Sequence, residues 1–273
     1  IPFYVAPHSS DVADNPQVFE LDEDMKPTLV AGVPPDIFST DGQLWGNPIY
    51  NWDYLEKTDF KWWKQRIIHN LKLYDVLRID HFRAFADYYS IPADAQNAKS
   101  GYWKKGIGNK FWESLKKDIG EVPIIAEDLG GEDSPLVIEL LNQTGFPNMK
   151  VLQFAFNKDL SNTFLPENFD RPCVCYTGTH DNDTTLGWYE HLSEKEKALF
   201  FKTVPQKQTS PVLNLISFAI DSKAETVIIP LQDYMQLNSS ARINTPGVPK
   251  GNWVWRFRKK DITNRLKDII KKI

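Results

Sequence analysis

Short apolar runs separated by stretches of mixed charge set the rhythm of this chain. Between positions 75 and 85, Leu77 and Ile79 alternate with Arg78 and Asp80, the period-two pattern of a strand, which places Arg78 and Asp80 on one face. Upstream, Trp63, Ile67 and Leu71 recur at four-residue spacing and predict an amphipathic helix over 60–74, with Asp59 suited to accept its free N-terminal amides. A second helix is expected over 109–119, closed by Gly120. The run 122–130 reads as a buried strand ending in Glu127 and Asp128. Further helices are predicted over 135–142, 194–204, 212–220 and 262–270. An apolar run over 151–156 and strands over 173–177 and 226–230 lie between them.

One span breaks the rhythm. Gly32, Pro34, Pro35, Gly42, Gly46 and Pro48 argue against a regular helix or strand over 32–50, so a long, conformationally restrained loop is expected there. Long loops in compact domains usually bind something or act as lids. This one carries Asp36, Phe38, Gln43, Trp45 and Tyr50, a mix of hydrogen-bonding and flat apolar groups that suits either a binding loop or a loop packed down by its own aromatics.

The alternation of strands and helices implies an α/β fold with a parallel sheet and helical crossovers. Six strands are expected, near Ile1, Val76, Pro123, Val151, Cys173 and Thr226, and three of them deliver charged residues at their C-terminal ends. Catalytic groups of an eight-stranded (β/α)8 TIM barrel sit at that face. Six strands fall two short of such a barrel. The chain also opens without Met, inside the apolar run Ile1-Pro-Phe-Tyr-Val-Ala6, so residues 1–273 are expected to be part of a longer catalytic barrel domain. An open doubly wound sheet is the alternative, though no Gly-x-Gly-x-x-Gly fingerprint accompanies it.

Composition narrows the partners. With 41% hydrophobic and 25% charged residues and a formal net charge of -4, nothing points to nucleic acid or an anionic membrane surface, and the expected partner is small or uncharged. No stretch approaches the ~20 apolar residues of a membrane helix. Of the nine Trp, ten Tyr and sixteen Phe most are expected in the core, and the excess of Trp and Tyr also suits stacking on sugar rings. Cys173 and Cys175 stand two apart on one predicted strand, a poor geometry for a mutual disulfide. Buried thiols favour a reducing, cytoplasmic setting.

Three acids follow strands: Asp80, Glu127 and Asp181. Retaining chemistry at a glycosidic bond needs one carboxylate as nucleophile and one carboxylic acid to protonate the leaving oxygen. The guanidinium of Arg78 favours an anionic Asp80, which suits the nucleophile. Glu127, after apolar Ile124 and Ile125 and near other carboxylates, should hold its proton more tightly, as an acid/base residue must. Asp181 can steady a cationic transition state, and His180 can donate to sugar hydroxyls. A Mg²⁺ site built from the same acids is the rival, but no phosphate-gripping loop accompanies them.

Arg78-Ile-Asp-His-Phe-Arg83, Ile125-Ala-Glu-Asp-Leu-Gly130 and Thr179-His-Asp-Asn-Asp-Thr184 resemble the catalytic motifs of the amylomaltases, the 4-alpha-glucanotransferase family related to the alpha-amylases. The segment 32–50, with Gly42-Gln-Leu-Trp-Gly-Asn-Pro48, resembles that family's substrate loop. The resemblance implies a TIM barrel of which this chain holds about strands three to eight, with Asp80 as nucleophile, Glu127 as acid/base and Asp181 as transition-state stabiliser. It implies that Arg78 and His180 contact the sugar, that Asp36, Phe38, Gln43 and Trp45 belong to the substrate loop, and that Asn244 forms the far wall. Many relatives have an aromatic residue at Ile37, Thr at Asp41 and Gly at Ala84. The implied activity moves α-1,4-glucan segments between maltooligosaccharide donor and acceptor, with no cofactor or metal. An α-glucan hydrolase and a non-catalytic glucan-binding barrel remain alternatives.

Overall fold

Strands and helices alternate much as the pattern predicts in the computed structural model, which describes residues 1–35, 39–157, 159–248 and 250–273. In chain order the strands are β1 (Leu29–Val33), β2 (Gln43–Pro48), β3 (Leu77–Ile79), β4 (Asp87–Pro92), β5 (Tyr102–Lys105), β6 (Ile124–Ala126), β7 (Asn148–Val151), β8 (Cys173–Tyr176) and β9 (Thr226–Ile228). The chain divides into two units, Ile1–Asn148 and Met149–Ile273.

In the first unit β3 and β6 pair in parallel, with Leu77 opposite Ile124 and Ile79 opposite Ala126. All four of these side chains are buried, while Arg78 between them is not, as the alternation requires. The expected strand near Ile1 is reduced to a bridge from Pro2 to Asp80. Two hydrogen bonds flank it, Phe3 N–H to the Asp80 carbonyl at 3.1 Å and Asp80 N–H to the Ile1 carbonyl at 2.9 Å. The crossover from β3 to β6 includes the helix Asn109–Ile119, which ends where Gly120 adopts φ 78°, a left-handed position that suits glycine. Aromatic rings fill the space beneath. Phe3, Tyr50, Trp63, Phe82, Phe85 and Phe111 are almost wholly buried, and Phe85 stacks on Phe111 at 5.4 Å. Much of the aromatic content is therefore core.

The helix Lys61–Leu71 buries Trp63 and Ile67, but Asp59 does not cap it. Asp59 and Phe60 both take positive φ, 51° and 54°, and the Asp59 carboxylate instead accepts from Lys64 Nζ at 2.7 Å. Lys64 Nζ also donates to Asp118 at 2.7 Å. Burial works against the Lys64 charge, but the bonds to Asp118 and Asp59 outweigh it and hold its pKa above the ordinary lysine value. Both aspartates are well exposed, so removing the ammonium strands no buried anion. Lys64→Met, which keeps the apolar stem, is expected to change unfolding free energy by less than about 1 kcal/mol. Urea denaturation of the two proteins measures the difference directly.

The span 32–50 departs from expectation. Rather than an irregular loop, it contains the end of β1 and all of β2, which join β4 and β5 in an antiparallel sheet of order β2-β1-β4-β5. The prolines do not prevent this. Pro48 is the last residue of an edge strand and Pro92 the last of β4, places where a missing N–H is tolerated. Gly32 lets β1 and β2 approach closely: a Cβ there would lie 2.1 Å from the Gln43 carbonyl oxygen.

In the second unit β8 lies between β7 and β9, and pairs in parallel with β9 through Val174–Thr226 and Tyr176–Ile228. Every residue of β8 is buried. The helix Glu194–Thr203 starts in a reciprocal Ser193/Glu196 capping box, and Pro211–Ile220 starts at Ser210. Phe156, Phe200, Leu215 and Phe218 share one core. Cys173 and Cys175 are buried without a disulfide, and burial, followed by the neighbouring Cys173, pushes the Cys175 thiol up to about 12. Among the described residues no helix is long and apolar enough to cross a membrane.

Candidate functional site

The β3 strand ends immediately before Asp80. Arg78, two residues earlier on the same face, donates from Nη2 to Asp80 Oδ1 at 2.8 Å, the pairing the alternation predicted. The chain then turns sharply. His81 takes the left-handed conformation at φ 56° and leads into a 3-10 turn over Phe82–Phe85. That turn aims two backbone donors at Glu127 after β6: His81 N–H reaches Oε2 at 2.6 Å, and Phe82 N–H reaches the carbonyl at 2.8 Å. Leu129 N–H reaches the other carboxyl oxygen, Oε1, at 3.0 Å.

Two opposing effects meet at Glu127. Burial disfavours its charge and the Asp80 carboxylate disfavours it further, while His81 N–H, Arg78 and Leu129 N–H favour it. Burial and Asp80 win, and the Glu127 pKa is raised from 4.5 to about 7. Near neutral pH Glu127 can therefore give or take a proton. Asp80, with half of its side chain exposed, lies beside a fixed guanidinium. The structure thus sets a Glu127 carboxyl group poised to exchange a proton near an Asp80 carboxylate paired with Arg78.

His81 was not singled out in advance. Burial, with help from Arg83, lowers its pKa to about 3, so the ring is neutral. It is packed edge-to-face against Trp45 at 4.9 Å and lies 6.0 Å from the Tyr4 ring. Trp45, on β2, donates from Nε1 to Gln43 Oε1 at 3.1 Å. The β2 strand thus brings Gln43 and Trp45 to the turn that carries Asp80. Asp36 and Phe38, the other two residues expected on this segment, lie outside the described residues. Arg83 was also missed: it donates from Nε and Nη2 to Asp87 Oδ1, from Nη1 to the Gly130 carbonyl, and lies 4.2 Å from the Trp103 ring centroid. It ties the turn after Asp80 to the turn after Glu127.

In the second unit, Asp181 follows β8. Its Oδ1 accepts from Asn244 Nδ2 at 2.5 Å and its Oδ2 lies 3.4 Å from His180 Nε2. Asn244 N–H donates to the His180 carbonyl at 3.1 Å. Arg242 donates from Nη2 to the Asp181 carbonyl at 2.6 Å and from Nε to the Asn244 carbonyl at 2.8 Å. The expected residues His180, Asp181 and Asn244 therefore form one hydrogen-bonded group, with Arg242 as an addition. Asp181 and Arg242 line a cavity of about 360 Å³ with Gln153, Asn182 and Asp183. Asp183 and Asp233 have local duties. Asp183 accepts from Ser239 Oγ at 2.7 Å, and buried Asp233 accepts from Thr177 Oγ1 at 2.6 Å and Thr185 Oγ1 at 2.7 Å.

Comparison with known proteins identifies the family. The family model described as 4-alpha-glucanotransferase matches residues 1–263. A 4-alpha-glucanotransferase of Clostridium butyricum is 48% identical over 97% of this chain and 55% of its own length. One from Thermus thermophilus is 45% identical over 94% of this chain and 53% of its own length. Among solved structures, an amylomaltase from Streptococcus agalactiae in complex with acarbose superposes with a TM-score of 0.96 at 40% identity, covering 100% of this chain and 55% of that one. The chain thus spans about half the length of the relatives it matches. With its motifs, its strand-end carboxylates and this likeness in agreement, the chain belongs to the 4-alpha-glucanotransferase family.

Proposed function

We propose that the protein carrying this chain is a 4-alpha-glucanotransferase, which moves α-1,4-glucan segments between maltooligosaccharides with retention, through a covalent glycosyl-enzyme. The observation that carries this reading is the Glu127 carboxyl group, its pKa raised to about 7, next to an Asp80 held by Arg78. In the first step an Asp80 oxygen attacks the anomeric carbon of the donor. The bond from that carbon to the leaving oxygen breaks, and the Glu127 proton goes to that oxygen. Glu127, now a carboxylate, then takes the proton from a hydroxyl of the acceptor glucan. The acceptor oxygen attacks the same carbon and frees Asp80. Asp181 steadies the oxocarbenium-like transition states as a third anion.

Arg78 and His180 contact the reacting sugar in this reading, Asn244 orients Asp181, and Gln43 and Trp45, with Asp36 and Phe38, hold the glucan. Both steps use only carboxyl groups and an acceptor hydroxyl and call for no cofactor or metal. The resemblance and the parallel pairs β3–β6 and β8–β9 support a (β/α)8 barrel to which residues 1–273 contribute about strands three to eight. Buried thiols support a cytoplasmic setting. Transfer outruns hydrolysis when the acceptor is held better than water, and an aromatic segment over the reacting carbon is one means of excluding solvent.

Product analysis after incubating the full-length protein with maltotriose tests the assignment. A ladder of longer oligosaccharides together with glucose is the expected result. Glucose and maltose without longer chains would replace transfer by hydrolysis, and unchanged maltotriose would remove the catalytic reading.

A further inference from the structure

Trp253 lies outside every strand and helix, and its backbone takes φ 60°, a region that bulky side chains seldom enter because Cβ meets the neighbouring peptide. Such a conformation persists only where the surroundings impose it. Here they do. Trp253 N–H donates to the Ile243 carbonyl at 2.7 Å, and Arg256 Nη1 donates to the Trp253 carbonyl at 2.8 Å. Asn252, just before it, accepts Thr245 N–H at 2.9 Å and donates to the Val248 carbonyl at 2.7 Å. So firmly placed a Trp would ordinarily be buried, yet this one is 55% exposed.

What the indole does touch is the His180 ring, 5.2 Å away between centroids and tilted by 36°. The connection to Asp181 is twofold. His180 directly precedes Asp181, and Ile243, to which Trp253 is bonded, directly precedes the Asn244 that donates to the Asp181 carboxylate. We propose that Trp253 is a stacking platform for a pyranose ring of an α-1,4-glucan, a specificity-determining residue beside the His180–Asp181 pair. The platform rests on the transferase reading above. A flat apolar indole left in water gains by covering the C–H face of a sugar ring, whose hydroxyl groups stay solvated at the rim. The backbone contacts keep the ring in place before the glucan arrives, so little ordering is left to be lost on binding.

The test uses the full-length protein with Glu127→Gln, so that a glucan binds without being consumed, and maltoheptaose titrated by calorimetry. Trp253→Ala and Trp253→Leu are expected to weaken binding about tenfold, in the range typical of truncating a Trp anchor. Trp253→Tyr, which keeps a flat ring and guards against a loop that collapses when truncated, is expected to stay within about threefold. Phe257→Ala, an exposed aromatic further along the same segment, is expected to leave binding unchanged. Leu binding as tightly as Trp, or Tyr losing as much as Ala, overturns the platform and leaves Trp253 a brace for its loop. If the Glu127→Gln protein with Trp253 intact takes up no maltoheptaose, the glucan reading itself falls, and the platform with it.

Discussion

Glu127→Gln is expected to lower transfer by about 10²–10⁴-fold, the usual worth of a positioned acid/base, while leaving the fold intact. The variant keeps the shape of the side chain and loses the exchangeable proton, and its amide nitrogen takes the place of one of the two oxygens that accept the His81 and Leu129 N–H groups. In the parent, rate should fall as pH rises through about 7, because Glu127 must carry its proton to protonate the leaving oxygen. The variant should show no such limb in its residual activity. Stability has its own signature. The folded-state pKa of about 7 lies above the ordinary 4.5, so the folded protein binds this proton more tightly than the unfolded chain does. The contribution is complete below about pH 4.5 and is lost progressively as pH rises to about 7, amounting to no more than about 3 kcal/mol. The parent should therefore lose stability relative to Glu127→Gln as pH rises from about 4.5 to 8, as thermal unfolding across that range measures. A folded variant with parental transfer rates would remove Glu127 from the mechanism.

Asp80→Ala removes the proposed nucleophile, and turnover is expected to fall by about 10⁴-fold or more, as it does when a covalent nucleophile is deleted elsewhere. Azide, entering the vacated side, should restore turnover of an activated glucosyl donor. A second consequence is independent of catalysis. The Asp80 carboxylate is, after burial, the main reason Glu127 holds its proton. Its removal should bring the Glu127 pKa down from about 7, and carbon NMR of labelled glutamate carboxyls follows that titration directly. An unchanged Glu127 pKa would mean that the two carboxyl groups do not sense one another.

The strands that carry Asp80 and Glu127 were legible because their signals are local. Leu77 and Ile79 alternate with Arg78, and burial follows that alternation residue by residue. Gly120 ends its helix for a reason confined to its own backbone. Glu127 was legible too, since the apolar residues before it already announce poor solvation. The antiparallel sheet was not. Its pairing of Leu29 with Pro92 and Gly32 with Tyr89 joins residues some sixty positions apart, and no local periodicity records that. The prolines and glycines of 32–50 looked like breakers, whereas two of them serve the sheet, Gly32 by its close approach and Pro48 at its edge. Asp59 misled for a similar reason: a good cap by type, it is engaged by Lys64 and sits at φ 51°. His81 gave no sequence signal, since its importance comes from a backbone conformation that directs an N–H at Glu127.

Gly32 has a consequence for how selectivity in such a protein can change. It is buried in the interstrand gap, meets no sugar in the proposed mechanism, and faces the carbonyl of Gln43, two residues from Trp45. Any side chain at position 32 must push β2 outward, and Trp45 moves with it relative to His81. The tryptophan's aim is thus inherited from a residue with no chemistry of its own. In the proposed reading, in which Trp45 holds the glucan, acceptor preference is open to redesign from behind the sheet, and mutational libraries restricted to sugar-facing positions would never sample that route.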